Sequence, residues 1–319
     1  MKLLNTTIVL ACLFSIKGMA QTEFKPYTQA IEGTDVTFSM VPIEGGTYVV
    51  GASEGDMNKN DDELPNKKVE VSSFWMGAFE VTHKEFLLFT DATRDILGDG
   101  NVNPEVISRP SSPYEDPSKG LGGEDMKPTV GLTQYSALSY CRWLYKRTGI
   151  FYRIPTELEW EFAARAGTTT PYFFGKDPAE LEKYAWFDAN GEDRLHEVGQ
   201  KEPNPNGLYD IYGNVAEWCL DQYYADFYAT LKDGEKDAWG MPDALNPRSV
   251  RGGSFLDAAK DCRSSSRVTS TDEWKARDPQ LPQSFWWNTD SEFVGFRLVR
   301  PLVQPSKEEI ELFFSSMLE

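Results

Sequence analysis

The stretch at residues 207–218, GLYDIYGNVAEW, combines carboxylates with residues that favour turns. An irregular turn leaves main-chain carbonyl oxygens without sheet partners, and calcium takes about six to eight oxygens from such carbonyls and from a few carboxylates. Four residues could present oxygens to one cation: Asp210, Gly213, Val215 and Glu217. The predicted set is the carbonyls of Gly213 and Val215, the Glu217 carboxylate and either kind of oxygen from Asp210. The alternative is a calcium-free turn in which Glu217 caps a helix or pairs with an arginine, and spacing alone favours that alternative.

The composition excludes some partners and favours others. The chain of 319 residues has a formal net charge of −18, which repels nucleic acid and anionic membrane surfaces and suits divalent cations. A simpler interpretation of the charge is that it keeps an exported protein soluble. We expect no nucleic-acid partner. Because no internal repeat or low-complexity linker interrupts the chain, one large domain is favoured over two.

Residues 1–20 follow the pattern of a cleaved secretory signal. Lys2 precedes an apolar run at residues 7–16, and small residues lead to a predicted cleavage near Ala20. The run is too short to span a membrane, and no other long apolar run follows. The sequence therefore predicts a secreted or periplasmic protein without a membrane span. Lipidation at Cys12 is the less favoured alternative, because cleavage there would divide the apolar run.

Three cysteines remain after the predicted signal: Cys141, Cys219 and Cys262. The odd number leaves at least one thiol free unless two chains pair. A bridge between Cys219 and Cys262 would be compatible with an oxidising compartment, but the sequence does not establish it. Cys141 is expected to lie on the side of a helix that faces the protein core, as a buried, inert thiol.

Alternating apolar residues predict strands in the first part of the mature chain. Residues 21–36 are polar and form an N-terminal extension ahead of the predicted domain at 37–302. Residues 38–51 predict a hairpin with residues 44–46 as its turn, and residues 69–81 predict two short strands broken near Gly77.

Helix start signals follow these strands. A Thr or Ser three residues before a Glu, the spacing of a capping box, occurs at Thr82, Thr156 and Ser306. These signals predict a helix at residues 83–92, a second helix that Gly167 ends, and a short helix in the C-terminal tail at 303–319. Thr133 is expected to cap a further helix. Residues 101–127 are rich in Pro, Gly and Ser and predict a long surface excursion.

Six ordered motifs, read together, resemble the formylglycine-generating enzyme family, also called sulfatase-modifying factors. They are FSMVPIEGGTYVVG, FWMGAFEVTHKEF, YRIPTELEWEFAARAG, GLYDIYGNVAEW, VRGGSF and FVGFRLVR. The resemblance covers about residues 37–302. It implies an α+β fold: a single mixed domain with little regular secondary structure, related to C-type lectins.

The resemblance also implies a chemistry that this sequence does not fully support. Enzymes of the family oxidise a cysteine in a Cys-x-Pro-x-Arg context to formylglycine, with copper(I) held by two cysteines just after a GGS turn. Cys262 matches the second of these cysteines, but Asp257 stands where the first is expected. A carboxylate is a hard ligand and a poor substitute for a thiolate toward copper(I). Ala216 and Phe293 likewise replace a tryptophan and an asparagine that are usual in the family.

The family's calcium pattern, in contrast, maps onto the same four positions, Asp210, Gly213, Val215 and Glu217. A second family calcium site, expected near residues 186–193, has no clear match. The family's iron-binding relatives use histidines, whereas His83 and His196 are the only histidines here and are expected at the surface or at a cap.

Two functions remain open. In the first, the chain is an exported binding or scaffold module whose partner is a protein or peptide, such as a sulfatase or a secretion-machinery component. Its cleft would be lined by aromatic residues and arginines, unless these only pack: Trp286, Trp287, Tyr223, Arg263 and Arg267. In the second, the chain is still an oxidase. Cys262 is then its redox thiol, Ser254 positions an oxygen ligand, and Asp257 is a changed metal ligand or base.

Overall fold

The computed structural model describes residues 23–53, 55–94, 108–279 and 282–318. The predicted signal at 1–20, with Cys12 and the cleavage near Ala20, lies outside the described residues, as does the 101–107 part of the predicted excursion. Across the described ranges, none of the helices has the length and apolar character needed to cross a bilayer.

Short strands and a few helices form a mixed α+β domain, as the sequence predicts. The strands are β1 (Tyr27–Ala30), β2 (Thr37–Ile43), β3 (Gly46–Val50), β4 (Lys67–Val71), β5 (Phe74–Gly77), β6 (Ala216–Gln222), β7 (Glu235–Lys236), β8 (Arg248–Arg251), β9 (Arg267–Thr269), β10 (Val294–Gly295) and β11 (Val299–Pro301). They form three sheets with the orders β1-β2-β5-β11, β10-β6-β8-β9 and β3-β4-β7. The helices are α1 (His83–Thr90), α2 (Gln134–Thr148), α3 (Glu157–Arg165), α4 (Phe227–Thr230) and α5 (Lys307–Leu318).

The predicted hairpin at residues 38–51 is wrong, although both of its strands exist. β2 pairs with β1 and β5, whereas β3 pairs with β4 in another sheet. At the junction the N–H of Gly45 donates to Ser73 Oγ, and a Cβ on Gly45 would lie 2.5 Å from the Val71 carbonyl oxygen. The close approach directs the chain from one sheet into the next. The predicted strand break near Gly77 is also wrong, because the break falls at residues 72–73, between β4 and β5.

Both ends of the described chain pack on the body. β1, within the predicted N-terminal extension, pairs with β2, and Ile31 just after it is fully buried. In the C-terminal tail, Phe314 of α5 is fully buried and its ring stacks with Tyr145 of α2. Each end therefore adds apolar burial to the main core.

The predicted helix caps are present. Thr82 and Thr156 accept hydrogen bonds from the backbone N–H groups of Glu85 and Glu159, and both complete reciprocal capping boxes. Thr133 caps α2, which Gly149 ends in the left-handed conformation. α1 ends at Thr90, slightly earlier than predicted.

The capping box of α1 gives a testable pH dependence. Glu85 is buried, and burial raises the pKa of its carboxyl to about 7. Between the ordinary carboxyl pKa and this value the native state binds more protons than the unfolded chain, so this group lowers stability as the pH rises. Glu85→Gln keeps the box. Between about pH 5 and pH 7, the free energy of unfolding of this variant is therefore expected to fall by about 2 kcal/mol less than that of the wild type.

Urea unfolding of both proteins at several pH values measures this difference. The control is Glu309→Gln in the exposed capping box at Ser306, where hydrogen bonds lower the carboxyl pKa instead. Equal slopes for the wild type and Glu85→Gln would contradict the assignment.

Buried ion pairs cross-link α3 to the sheets. Arg251 of β8 is fully buried and donates to Glu157 at 3.0 Å and to Glu161 at 2.7 Å. Arg267 of β9 donates to the same Glu157 at 2.7 Å, and Arg263 pairs with Glu63 at 2.6 Å. Arg263 and Arg267 are therefore structural, and the prediction that they line a cleft is wrong. The reason is that each guanidinium is neutralised within the fold.

Candidate functional site

The predicted calcium residues lie on one irregular turn that leads into β6. Between residues 210 and 215, three residues have positive φ: Asp210 at 50°, Gly213 at 72° and Asn214 at 51°. A Cβ on Gly213 would lie 2.1 Å from the Trp186 carbonyl oxygen. Because only glycine fits both the φ angle and this approach, Gly213 fixes how closely the turn packs on the rest of the fold.

Asp210 is the member of the set best placed to receive a cation. The side chain is 1% exposed, and its Oδ2 accepts a hydrogen bond from the Gly199 N–H at 2.7 Å. Its Oδ1 is buried without a hydrogen-bond partner among the described residues. A buried carboxylate oxygen without a partner costs free energy, and a bound cation would supply that partner.

Glu217 is more fully engaged. Arg297 forms a two-pronged contact with it, through Nε at 2.7 Å and Nη2 at 2.5 Å, and Trp160 Nε1 donates at 2.9 Å. A carboxylate has about four acceptor positions, so these three N–H groups leave room for one more partner. The same Arg297 also reaches the Asp210 carbonyl oxygen at 3.4 Å.

Sequence reasoning missed one acidic member of this cluster. Glu80 is 1% exposed and accepts from the Val215 N–H at 3.2 Å and from Asn214 Nδ2 at 3.1 Å. In the sequence, Glu80 is a single carboxylate between apolar Phe79 and Val81. That isolated charge in an apolar segment was the available signal, and Arg297 within GFRLV was another.

The carboxyl groups of the cluster outnumber its single guanidinium. Three buried carboxylates, on Glu80, Asp210 and Glu217, surround the Arg297 guanidinium. Burial raises the pKa of Asp210 to about 6 and, together with the neighbouring Asp210, also raises the pKa of Glu80. Such shifts are typical of carboxyl groups that burial has desolvated, and they favour the protonated forms. A divalent cation would favour the ionised carboxylates and would contact the Asp210 Oδ1 that has no partner among the described residues, so the residues present fit calcium.

Side chains alone would not complete the coordination. Within 23–53, 55–94, 108–279 and 282–318, no three His, Cys, Asp or Glu side chains come together as a ready metal site. A calcium ion here would therefore also need carbonyl oxygens, for which the predicted donors are Gly213 and Val215.

The predicted catalytic residues lie after β8, and two of them are hydrogen-bonded to each other. Asp257 Oδ2 accepts hydrogen bonds from the Ser254 N–H at 2.8 Å and from Ser254 Oγ at 2.7 Å. Its carboxylate thus closes a local turn, and Ser254 is fully buried beneath it. Both side chains are used in holding the loop.

Cys262 is a buried thiol. It is 0% exposed, and a Cβ on Gly253 would lie 2.7 Å from its Sγ. Burial raises the pKa of the thiol, and the nearby carboxylates of Asp257 and Asp261 raise it further. Copper(I) binds thiolates. The Cys262 thiol is protonated and enclosed, and the neighbouring Asp257 carboxylate is hydrogen-bonded to Ser254, so this loop does not fit copper(I).

All three cysteines of the described chain are free and buried, so the bridge suggested between Cys219 and Cys262 is not formed. Burial raises the pKa of Cys141 and of Cys219, as expected for inert thiols. His83 opens α1, as predicted, but His196 is 9% exposed and stacks on Trp186 with ring centroids 3.8 Å apart. The surface assignment of His196 is therefore wrong, because an aromatic ring covers it.

The aromatic residues expected in a cleft have mixed positions. Trp287 is mostly buried and its Nε1 donates to the Ser111 carbonyl oxygen at 2.9 Å. It lines a cavity of about 470 Å³ that also includes His83 and Phe86. Tyr223 instead donates to Asp62 at 2.7 Å, and Trp286 packs on Tyr135.

Comparison with known proteins gives one family match and several similar proteins. Residues 29–302 match a family described as the sulfatase-modifying factor enzyme 1-like domain. The serine/threonine-protein kinase pkn1 of Chlamydia pneumoniae is 33% identical over 231 residues, which cover 72% of this chain and 35% of the kinase. The chain thus spans about a third of that protein. The formylglycine-generating enzyme of Thermomonospora curvata is 28% identical over 260 residues, covering 70% of this chain and 84% of that enzyme.

One solved structure shows the same fold. PvdO from Pseudomonas aeruginosa superposes with a TM-score of 0.65 at 24% identity, covering 86% of this chain and 98% of that one. The match supports the mixed α+β domain predicted from the motifs.

Proposed function

This chain belongs to the sulfatase-modifying factor family, and from that premise we propose that it is an exported binding or scaffold module that has lost copper-dependent cysteine oxidation. Its partner is an exported protein or peptide, such as a sulfatase or a component of a secretion machinery. The secretory pattern at residues 1–20 and the net charge of −18 support the exported location.

The geometry around Asp257 is the observation that carries the loss of oxidation. The carboxylate stands where the family resemblance expects a thiolate, and it accepts two hydrogen bonds from Ser254. The remaining thiol, Cys262, is fully enclosed. A soft monovalent ion needs a pair of deprotonated sulfurs, whereas this loop offers one protonated sulfur.

Calcium has a structural role in this proposal. Asp210 and Glu217 would hold the ion with the carbonyl oxygens of Gly213 and Val215, and the ion would supply the partner that Asp210 Oδ1 lacks among the described residues. When bound, it would fix the turn that leads into β6. That turn packs against the Asp257 loop, because Gly213 N–H donates to the Gly252 carbonyl oxygen at 3.1 Å.

Metal analysis together with an aldehyde assay tests the proposal. The purified chain, treated with copper(I) and excess chelator, is expected to retain less than about 0.1 equivalent of copper. It is expected to form no aldehyde in a Cys-x-Pro-x-Arg peptide under oxygen, as detected by mass spectrometry. The Thermomonospora curvata enzyme, assayed in parallel, provides the positive control.

Cys262→Ala separates the loss of oxidation from the alternative oxidase. If the chain is a binding module, this variant has the same copper content and the same absence of aldehyde as the wild type. Aldehyde formed by the wild type and lost in Cys262→Ala would instead establish an oxidase in which Cys262 is the redox thiol and Asp257 a changed ligand.

A further inference from the structure

A small cavity of about 50 Å³ lies beside the start of α2, and none of the predicted calcium or catalytic residues lines it. Its walls come from five parts of the chain, and its lining combines cationic, amide and apolar side chains. The residues that carry the argument are Arg248, Lys275, Asn288, Trp218, Leu245 and Phe285.

Two cations line this cavity, and neither forms an ion pair with a carboxylate of the described residues. Arg248 Nε donates to the Leu245 carbonyl oxygen at 3.1 Å, and its Nη1 is buried without a hydrogen-bond partner in the described chain. Lys275 Nζ donates to the Ser284 carbonyl oxygen at 2.7 Å. Neither side chain takes part in any ion pair seen among the described residues.

This arrangement differs from that of three fully buried arginines. Arg251, Arg263 and Arg297 each contact a carboxylate within 3.0 Å. Burial lowers the pKa of Arg248 and of Lys275, and more distant carboxylates, which include Asp243, Asp272 and Asp278, offset this only in part. A chain with a net charge of −18 thus keeps two desolvated cations unneutralised at one place.

The remaining lining supplies a suitable frame for an anionic group. Thr133, Gln134 and Tyr135, at the beginning of the 15-residue helix α2, border the cavity, and a helix start favours negative charge. Trp218 forms an apolar wall. At the rim, Leu245 and Phe285 are 54% and 58% exposed, so apolar surface lies beside the cationic cavity.

We propose that this cavity, the anion pocket, binds one carboxylate group of a peptide ligand whose neighbouring apolar side chain lies on Leu245 and Phe285. The guanidinium of Arg248 matches the planar carboxylate, and Lys275 contributes a second charge-assisted hydrogen bond. The volume accommodates a carboxylate group rather than a whole ligand, so the rest of the peptide stays on the exposed rim. The inference rests on the proposed binding function and specifies the chemistry of the partner.

Isothermal titration with short peptides tests the anion pocket. The probes are acetyl-Ala-Phe with a free C-terminal carboxylate, the same peptide as its C-terminal amide, and acetyl-Phe-Glu-amide, which carries its carboxylate on a side chain. At least one carboxylate peptide is expected to bind about tenfold or more tightly than the uncharged amide. The tighter of the two identifies the source of the carboxylate as a chain terminus or an acidic side chain.

Variants locate the binding. Lys275→Met and Arg248→Met keep most of the apolar stem of each side chain and are each expected to weaken binding at least about tenfold, whereas Lys275→Arg retains it. Lys260→Met, at an exposed pair with Asp261, is the matched control and leaves affinity unchanged. Thermal unfolding of each variant confirms that it is folded.

Three results would overturn the anion pocket: equal binding of the amide and both acids, wild-type affinity in both Lys275→Met and Arg248→Met, or no binding of any acid up to about 10 mM. None of these depends on copper or aldehyde formation. Failure of the anion pocket is therefore distinguishable from failure of the proposed loss of oxidation.

Discussion

Addition of calcium to the metal-free chain is expected to raise its free energy of unfolding by about 4 kcal/mol when free calcium exceeds the dissociation constant about a thousandfold. The reason is that the buried cluster of Glu80, Asp210 and Glu217 contains a carboxylate oxygen, Asp210 Oδ1, that has no hydrogen-bond partner among the described residues and that a cation would contact. An ion that binds only the folded turn stabilises the native state by mass action. Urea unfolding in chelator and in millimolar calcium measures the difference.

Asp210→Ala removes the carboxylate whose Oδ1 has no partner among the described residues. This variant is expected to lower the calcium response to less than about 1 kcal/mol. Asp221→Ala is the matched control, because Asp221 is equally buried and accepts the Gly240 N–H at 2.7 Å. It should lose stability in chelator but keep the calcium response. A full response in Asp210→Ala would exclude the proposed ligand set.

The elements that the sequence predicted best depend on neighbours a few residues apart. Thr82 and Thr156 mark helix starts because the Glu three residues later returns the hydrogen bond. The same local chemistry places the turn of Asp210 and Gly213, where the positive φ angles suit glycine or a short polar side chain. Such contacts are contained within one short window of sequence.

Contacts between residues that lie far apart along the chain could not be predicted in this way. Alternation predicts that β2 and β3 are strands, but it does not state that β2 pairs with β5 and β3 with β4. Likewise, Arg297 was visible within its motif, whereas its contact with Glu217, 80 residues earlier, is set by the parallel pairing of β10 with β6. Pairing of that kind depends on which apolar faces pack together.

In the candidate site, too, residue types could be predicted from the sequence, whereas contacts between distant residues could not. Asp257 in place of a cysteine was visible in the sequence and makes copper chemistry unfavourable on ligand type alone. The structure adds that the Asp257 carboxylate turns back to Ser254 and that Cys262 is enclosed. Two independent physical reasons, ligand hardness and burial, therefore support one proposal. The anion pocket had no sequence signal, because Arg248 and Lys275 meet only through folding.

Arg251→Met is expected to destabilise the chain by about 3–5 kcal/mol, the largest loss that we predict for a single substitution. Arg251 is 0% exposed and contacts Glu157, Glu161, the Tyr228 hydroxyl and the Ser264 carbonyl oxygen. Removal of the guanidinium leaves buried carboxylates with less positive charge, and this desolvation cost outweighs any apolar gain from Met. Urea unfolding at neutral pH measures the loss.

Two further proteins show whether unbalanced buried charge is the cause. Lys260→Met, at an exposed ion pair, should change stability by less than about 0.5 kcal/mol. In Arg251→Met combined with Glu161→Gln, the loss should be about 1–2 kcal/mol smaller than the sum of the two single losses, because the two side chains share a contact at 2.7 Å, whereas Arg165 pairs with Glu161 in either background. If the double variant were less stable than Arg251→Met by the full cost of Glu161→Gln alone, the two side chains would be energetically independent. The loss of stability would then come from altered packing around Arg251 rather than from charge. Packing alone, without the ion pairs, would stabilise the contact of α3 with β8.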